Sequence, residues 1–303
     1  MVCDGLTGRV AAYDIGSNTT RGLLAVPTED GAMRVLAADQ RMTALGRGLS
    51  GENAFDPEAL DATVRFLSDT LKRWERPEDV HAVATAAARA ATNGPDLIAR
   101  LRDEAGVEAR IIDGEEEARL AWLGALSEDP HLAANRPAVV DIVGRSTEVV
   151  AEEDGRLDAI SRPPGARSLT EGIVESDLPW DMRHRQHLST AEILLPDSMR
   201  KAAEAGSVIC IGGTAQSAAR LLGGTRITEQ EIADLALYLA QLSPQERRER
   251  MAFDPERAEI IYGGLVILEL FARCAPDQTV TISEGGVREG LLLDRTGARR
   301  LEW

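Results

Sequence analysis

Two short stretches of similar sequence, about one domain length apart, constrain the fold more than any other feature. The first is DIGSNT at residues 14–19, and the second is DIVGRS at residues 141–146. Each stands between two β-like runs of apolar residues, as the turn of a hairpin does. The spacing of their aspartates matches the size of an ordinary domain. The chain therefore predicts two domains that begin with the same hairpin.

The order of apolar periodicities places both halves in the α/β class. The first half follows the order β-β-β-α-β-α-β-α, with an amphipathic helix expected over residues 57–74. After the second hairpin come a third strand, a polar helical stretch, the strand and helix of SVICIGGTAQSAARLL, a helical region and a last strand. This order predicts a mixed sheet in each half.

The expected domain boundaries follow from where the pattern restarts. We expect one domain over residues 1–125, completed by a C-terminal helix at about 288–303, and a second over residues 126–287. No low-complexity linker separates them, so the two halves are predicted to face each other across a central cleft.

Composition narrows the class of protein. Hydrophobic residues make up 44% and charged residues 28% of the 303, as in soluble globular proteins. No apolar run is long enough for a membrane helix, and the N-terminus lacks the pattern of a signal peptide, so we expect a cytoplasmic protein. Cys3, Cys210 and Cys274 are widely spaced and predict buried free thiols.

The net charge of −16 argues against a general nucleic-acid binder. If the ligand is itself an anion, its attraction must come from local groups that work against the overall field. His184 and His187 lie among arginines in MRHRQHL, and we expect them on a solvated helix face.

Three turns share one design, in which an apolar strand ends and small residues release backbone N–H groups. Such turns bind anions, and the third also begins a helix. Any one of them is common packing architecture, but the three together are typical of a phosphate site. The candidate phosphate-binding residues are Gly16, Ser17, Asn18 and Thr19, then Gly144, Arg145, Ser146 and Thr147, then Gly212, Gly213 and Thr214.

Carboxylates beside these turns are candidates for metal binding and for base catalysis. Asp14 and Asp141 each end an apolar strand, where they either cap their own turns or hold a magnesium ion bridged to phosphate. Glu115, Glu116 and Glu117 begin a helix, where they either stabilise its first turn or supply a general base for water.

Two arginines stand close to the same motifs. Arg89, among small residues after a strand, either pairs structurally or holds a phosphate with its planar fork. Arg288 follows a glycine pair in GGVREGLL, and structural pairing is its preferred interpretation.

Taken in order, the motifs resemble the exopolyphosphatase / guanosine pentaphosphate phosphatase (Ppx/GppA) family of the actin-like ATPase superfamily. AAYDIGSNTTRGLL and VVDIVGRSTEVV resemble its two phosphate motifs, ATAAARAATN its arginine segment, GEEEARLAWLGAL its glutamate helix, and IGGTAQSAARL and GGVREGLL its later glycine motifs. The resemblance covers nearly the whole chain. It implies two actin-like (ribonuclease H-like) domains with mixed sheets and no additional C-terminal helical domains.

The resemblance also implies roles for individual residues. Glu117 matches the catalytic glutamate, and Arg89 the arginine that contacts phosphate. Asp14, Asp141 and Glu148 match the carboxylates associated with magnesium, for which manganese is the alternative ion.

One departure from the family pattern falls in the second turn. Family members usually have DIGGGSTE where this chain has DIVGRSTE, so Val143 and Arg145 each replace a glycine. A β-branched residue does not readily adopt a positive φ, and its side chain blocks close approach of a ligand to the backbone. Arg145 either contributes a guanidinium to an anion or fills the slot where a nucleotide would lie.

These observations lead to three functional hypotheses. The first is a magnesium-dependent phosphohydrolase that releases terminal phosphate from polyphosphate or a related phosphoanhydride such as guanosine pentaphosphate. The second is a binding or regulatory protein on the same scaffold with little or no turnover, motivated by the two lost glycines. The third is a sugar- or acetate-kinase-like enzyme, which lacks an acceptor signature here. We also expect a homodimer that binds neither nucleic acid nor membrane.

Overall fold

The computed structural model describes residues 8–47, 49, 53–172 and 178–303, and they form two compact units. One unit contains Met1–Pro130 together with Gly285–Trp303, and the other contains His131–Glu284. Within the described residues no helix is both long and apolar enough to cross a bilayer.

The first unit is built on a six-stranded mixed sheet. Its strands are β1 (Val10–Ile15), β2 (Thr19–Pro27), β3 (Met33–Met42), β4 (Asp79–Ala84), β5 (Ala109–Ile111) and, from the C-terminus of the chain, β12 (Leu301–Glu302). They lie in the order β12-β3-β2-β1-β4-β5, with β1, β2 and β3 antiparallel and β4 and β5 parallel to β1. Its helices are α1 (Pro57–Arg73), α2 (Ala86–Ala90), α3 (Gly94–Arg100), α4 (Gly114–Ala125) and α12 (Val287–Thr296).

The second unit repeats this plan. Its strands are β6 (Ala138–Ile142), β7 (Thr147–Glu153), β8 (Arg156–Arg162), β9 (Val208–Ile211), β10 (Arg226–Thr228) and β11 (Thr279–Ile282), in the order β10-β11-β9-β6-β7-β8. Here β6, β7 and β8 form the antiparallel meander, and β9 and β11 run parallel to β6. Its helices are α5 (Ala166–Glu171), α6 (Trp180–Leu194), α7 (Asp197–Glu204), α8 (Gly212–Leu222), α9 (Glu229–Gln241), α10 (Pro244–Arg250) and α11 (Ile261–Cys274). The prediction of two α/β domains with mixed sheets is confirmed.

The two hairpins have the same register. In the first, Asp14 of β1 lies opposite Arg21 of β2, and in the second, Asp141 of β6 lies opposite Glu148 of β7. Residues directly opposite on antiparallel strands share a face of the sheet. Asp14 therefore shares its face of the sheet with the cationic Arg21, whereas Asp141 shares its face with the anionic Glu148.

The helix expected over residues 57–74 forms because its sequence carries both a cap and a buried stripe. Asp56 accepts a hydrogen bond from the amide of Glu58, and Pro57 occupies the first turn, where its missing N–H costs nothing. The buried apolar side chains include Leu60, Val64, Leu67 and Leu71, which recur at helical spacing.

The C-terminal segment differs from the single helix expected over about 288–303. α12 ends at Thr296, because Gly297 adopts a left-handed φ of 69° that interrupts the helix. The chain then extends, and Leu301 pairs with Met33 as β12 joins the edge of the sheet beside β3.

The expectation that His184 and His187 lie on a solvated face is wrong. Both are buried, with 4% and 9% of their surface exposed, because α6 packs against α11 at this point. Nδ1 of each ring lies within hydrogen-bonding distance of the Tyr262 hydroxyl, at 3.2 and 2.9 Å respectively. Nε2 of His184 is 2.6 Å from Oε2 of the buried Glu269.

The expectation of buried free thiols is met at one position. Cys210 is a buried free thiol within β9, whereas Cys274, also free, is partly exposed at the end of α11. Cys3 lies outside the described residues.

Candidate functional site

The first turn leaves two backbone amides without an acceptor among the described residues. The amide of Gly16 donates to the Thr19 carbonyl at 3.2 Å and closes the turn. The carbonyls of Ser17 and Asn18 accept amides from the segment 43–46, which fixes the turn from behind. The amides of Ser17 and Asn18 are both in exposed residues and make no hydrogen bond within the described part of the chain. These two N–H groups are available to an anion.

Asp14 stands immediately before this turn with one oxygen in need of a partner. Its Oδ1 is shielded from solvent and has no hydrogen-bond donor among the described residues. Burial raises the pKa of Asp14 to about 6, Arg21 opposes that rise, and Glu117 and Glu289 add to it. A buried carboxylate oxygen in this state requires a proton or a cation.

Arg89 and Glu117, the two predicted catalytic residues, form an ion pair in the first unit. Nη1 of Arg89 donates to Oε2 of Glu117 at 2.7 Å and to the backbone oxygen of Ile112 at 2.8 Å. Both side chains keep some exposure to solvent, 33% for Arg89 and 23% for Glu117.

The three glutamates that begin α4 have different surroundings in the structure. Asp113 caps the helix by accepting from the amide of Glu116 at 2.8 Å. The carboxylate of Glu116 is bound in a bidentate pair by Arg110, at 2.5 and 2.6 Å, and Glu115 is exposed. Of the three, Glu117 is the one that contacts Arg89.

The helix that carries Glu117 packs on α12 with almost no side chain between the two backbones. A Cβ on Gly124 of α4 would overlap the backbone of Gly286, and a Cβ on Gly290 of α12 would overlap the backbone oxygen of Leu120. Glycine at both positions is required for this close approach. The position of α4 therefore depends directly on α12.

Arg288 and Glu289 hold α12 in place. Glu289 is 2% exposed, and its Oε1 accepts from Nε of Arg288 at 2.8 Å, while Oε2 accepts from the Gly286 amide at 2.9 Å. Nη1 of Arg288 donates to the backbone oxygen of Gly22 at 3.0 Å. The structural interpretation of Arg288 is confirmed.

The second turn leaves three amides without an acceptor among the described residues. Val143 donates its amide to the Ser146 carbonyl at 3.1 Å, which closes the turn, and the amides of Gly144, Arg145 and Ser146 make no hydrogen bond within the described residues. The carbonyls of residues 143 and 144 accept amides from the start of α5, so the turn is supported from behind as the first one is.

Val143 and Arg145 do not distort this turn. Neither residue has a positive φ, and neither does Gly144. The Arg145 side chain is 73% exposed and lies 3.4 Å from Glu171, while Val143 is 37% exposed. With Val143 and Arg145 in place, the turn has amides without an acceptor among the described residues and carries a guanidinium at the surface.

Thr147 and Glu148 follow the second turn in different settings. Thr147 is fully buried, and its hydroxyl donates to the Pro164 carbonyl at 2.7 Å, so its side chain supports the turn from inside. Glu148 accepts from the Ser161 hydroxyl at 3.1 Å and shares a sheet face with Asp141. The structure thus brings Asp141 and Glu148 together and places the Thr147 side chain behind them.

The third turn adjoins the second through Gly212. This glycine has a φ of 80°, and a Cβ on it would overlap Oδ1 of Asp141. Glycine is therefore required both by the backbone conformation and by the close approach of the carboxylate. Thr214 is fully buried, and its Oγ1 lies against Gly264 of α11.

Arg257 is a candidate that sequence reasoning missed. Its guanidinium lies directly on Gly213 at the start of α8, where a Cβ would overlap it, and its Nε donates to Oδ2 of Asp254 at 3.0 Å. The sequence around it, DPERAEI, carries no glycine turn and no apolar strand. Only the tertiary fold places this arginine beside the third turn.

The chain is similar to known proteins along nearly its whole length. The sequence model of the Ppx/GppA phosphatase family matches residues 25–298. The chain is 29% identical to Exopolyphosphatase 2 of Mycobacterium tuberculosis, over 95% of this chain and 99% of that protein. It is 26% identical to the crystal structure of the Aquifex aeolicus Ppx/GppA family member, with a TM-score of 0.76 and coverage of 95% and 97%.

A further structure shares the fold at lower identity. The exopolyphosphatase of Cytophaga hutchinsonii is 21% identical, with a TM-score of 0.76, over 95% of this chain and 98% of that one. The family match covers most of the chain, and it includes the second and third turns, Arg89 and Glu117. The chain belongs to the Ppx/GppA phosphatase family.

Proposed function

We propose that this chain is a phosphohydrolase that releases terminal phosphate from polyphosphate or a related phosphoanhydride such as guanosine pentaphosphate. The observation that carries the proposal is the pair of hairpins with one register, each with an aspartate beside a turn in which two or three amides have no acceptor among the described residues. Free amides of this kind bind phosphoryl oxygens without a charge of their own. They suit a polyanion on a chain whose net charge is −16.

In this proposal Glu117 is the general base. A water molecule gives its proton to the Glu117 carboxylate and attacks the terminal phosphorus, and the bond from phosphorus to the bridging oxygen breaks. The products are orthophosphate and a chain shorter by one phosphoryl group. The turn amides and Arg89 stabilise the charge that spreads over the phosphoryl oxygens in the transition state.

Asp14, Asp141 and Glu148 are the proposed carboxylates for magnesium, with manganese as the alternative. Among the described residues no three His, Cys, Asp or Glu side chains gather into a metal cage. The buried Oδ1 of Asp14 nevertheless fits a hard cation, because magnesium keeps several waters and needs only one or two carboxylates besides substrate phosphates. When bound, magnesium would neutralise phosphoryl charge.

A panel of phosphate-release assays tests the proposal. Polyphosphates of several lengths, guanosine pentaphosphate and ATP are each incubated with the protein, with and without magnesium. We expect release with magnesium from a phosphoanhydride, and loss of release in Glu117→Gln by roughly 100-fold or more. Glu115→Gln, on the same turn of α4 and exposed, is the matched control and is expected to retain activity. Equal activity in Glu117→Gln and the unaltered protein would refute the assignment of the base.

The binding-only hypothesis predicts a different outcome of the same panel. It requires tripolyphosphate to bind in calorimetry while no substrate releases phosphate. Val143 and Arg145 motivate this hypothesis through side chains that could block the ligand, since neither residue has a positive φ. The predicted homodimer is tested separately, by light scattering of the purified protein.

A further inference from the structure

The guanidinium of Arg89 has one side committed to the protein and one side open. Its Nη1 carries two hydrogens, and both are used, one by the Ile112 carbonyl at 2.8 Å and one by Oε2 of Glu117 at 2.7 Å. Nε and Nη2 have no acceptor among the described residues, and the side chain is 33% exposed. The open edge carries two parallel N–H groups, which is the geometry that binds two oxygens of one phosphoryl group.

The committed side is anchored at rigid points of the first unit. The amide of Ile112 donates to the Ala84 carbonyl at 3.0 Å at the end of β4, and the Ile112 side chain is 1% exposed. Glu117 lies on α4, whose position is fixed by the close backbone packing on α12. The carboxylate and the carbonyl therefore hold the guanidinium plane in one orientation.

Glu117 uses only one of its two oxygens in this pair. Oε2 accepts from Arg89, and no donor among the described residues bonds to Oε1. Because Arg89 fixes one oxygen, the orientation of the other is fixed with it. Oε1 is then the atom that accepts the proton of the attacking water.

We propose that Arg89 is a positioning residue for Glu117 as well as a phosphate ligand, with the carboxylate on Nη1 and the terminal phosphoryl group on the Nε and Nη2 edge. This inference rests on the proposed phosphohydrolase function. The planar guanidinium of Arg89 thereby holds the Glu117 carboxylate next to the phosphorus atom that the water attacks. Lysine cannot replace it, since an ammonium group is a point charge without two opposite edges.

The test compares the unaltered protein, Arg89→Gln, Glu117→Gln and the double variant by kcat and KM for phosphate release. In the protein with Glu117 intact, Arg89→Gln is expected to raise KM and to lower kcat by roughly 100-fold, the cost of a misplaced catalytic group. In the Glu117→Gln background the same substitution is expected to raise KM again but to lower kcat by no more than about tenfold, because only the stabilisation of phosphoryl charge is lost and no base remains to be positioned.

Two further variants keep the result interpretable. Arg89→Lys is expected to restore KM partly while kcat stays low, as charge returns without the second edge. Arg110→Gln removes an equivalent ion pair, with Glu116 on the same turn of α4, and is expected to leave kcat and KM unchanged. Thermal unfolding of every variant verifies that it is folded.

The possible outcomes distinguish the positioning role of Arg89 from the proposed phosphohydrolase function. If the kcat losses of Arg89→Gln and Glu117→Gln multiply in the double variant, Arg89 acts independently of Glu117, and the inference is overturned while the phosphohydrolase function stands. Full recovery of kcat in Arg89→Lys would also overturn it. If the unaltered protein releases no phosphate from any substrate of the panel, the proposed function falls, and the inference falls with it.

Discussion

Val143 and Arg145 leave the backbone of the second turn without a positive φ. The motif that this turn resembles has glycine at both positions, and glycine is often retained for a positive φ. In this turn neither position has one, and both side chains point to solvent. The amides of residues 144–146 remain without acceptors among the described residues. The turn has therefore changed at its surface while keeping its hydrogen-bond donors.

Restoring the two glycines is expected to have little effect. The double variant Val143→Gly with Arg145→Gly should change kcat/KM for phosphate release within about threefold, or roughly 0.7 kcal/mol of activation free energy. The reason is that neither residue constrains the turn. Steady-state kinetics with polyphosphate provide the measurement, and Gly212→Ala, which would overlap Asp141, is the contrasting variant with a large loss. An increase of tenfold or more in the double variant would show that these side chains obstruct the ligand.

Sequence reasoning located the residues of the turns but did not resolve their partners. Glu115, Glu116 and Glu117 are equivalent by composition, and only the fold shows that Arg110 takes the second and Arg89 the third. Arg257 gave no signal, because its contact with Gly213 joins positions far apart in sequence. Local patterns predict turns and helices well, since they depend on neighbours, whereas ion pairs depend on tertiary packing.

At the scale of elements, α6 and α11 bury a polar cluster where the sequence suggested a solvated face. His187 faces Arg183 and His184 of its own helix and the Tyr262 hydroxyl of α11, and Glu269 of α11 pairs with His184. Burial lowers the pKa of His187, and Arg183 and His184 lower it further. The surroundings of His187 therefore favour its neutral imidazole.

Acidification is expected to destabilise the second unit through His187. The folded-state pKa lies below the ordinary value of 6.5, so the unfolded chain takes up the proton first, and stability falls as pH drops below about 6.5. Thermal unfolding followed from about pH 7.5 to about pH 5.5 should show a smaller fall of Tm in His187→Gln than in the unaltered protein. Parallel curves for the two proteins would contradict this assignment.

The contact between α4 and α12 is expected to tolerate no side chain. Gly290→Ala should lower the free energy of unfolding by about 3 kcal/mol, because its Cβ overlaps the backbone of Leu120. Gly114→Ala on α4, where a Cβ has open space, is the control and should stay within about 0.5 kcal/mol. Denaturant unfolding measures both, and equal stability of the two variants would show that the helices can separate at little cost.

At the scale of the whole molecule, the sequence predicted two domains on one plan because each begins with the same hairpin. The structure shows how far the likeness extends, since both units continue from an antiparallel meander into parallel strands. The sequence predicts domain boundaries at residues 125 and 287, and in the structure the first unit ends at Pro130 and resumes at Gly285. β12 was not predicted, because two residues at an edge are too few to produce a period.

The two units are expected to differ in their ability to fold alone. Residues 131–284 form a continuous unit and should unfold cooperatively as an isolated fragment. Residues 1–130 lack α12 and β12, whose Leu291, Leu292 and Leu301 belong to the buried core with Val10 and Leu23. That fragment should gain a cooperative transition only when residues 285–303 are attached through a flexible linker. Circular dichroism during heating measures this, and a cooperative transition of residues 1–130 alone would contradict it.

The return of the chain to its first unit also sets an order of events during synthesis. A ribosome delivers residues from the N-terminus, so the second unit is complete while the first still lacks its last strand and helix. The half that was made first is therefore finished last, when Gly285–Trp303 leaves the exit tunnel. A premature stop codon just before this segment would leave the second unit complete. It would remove α12, against which the Glu117 helix α4 packs.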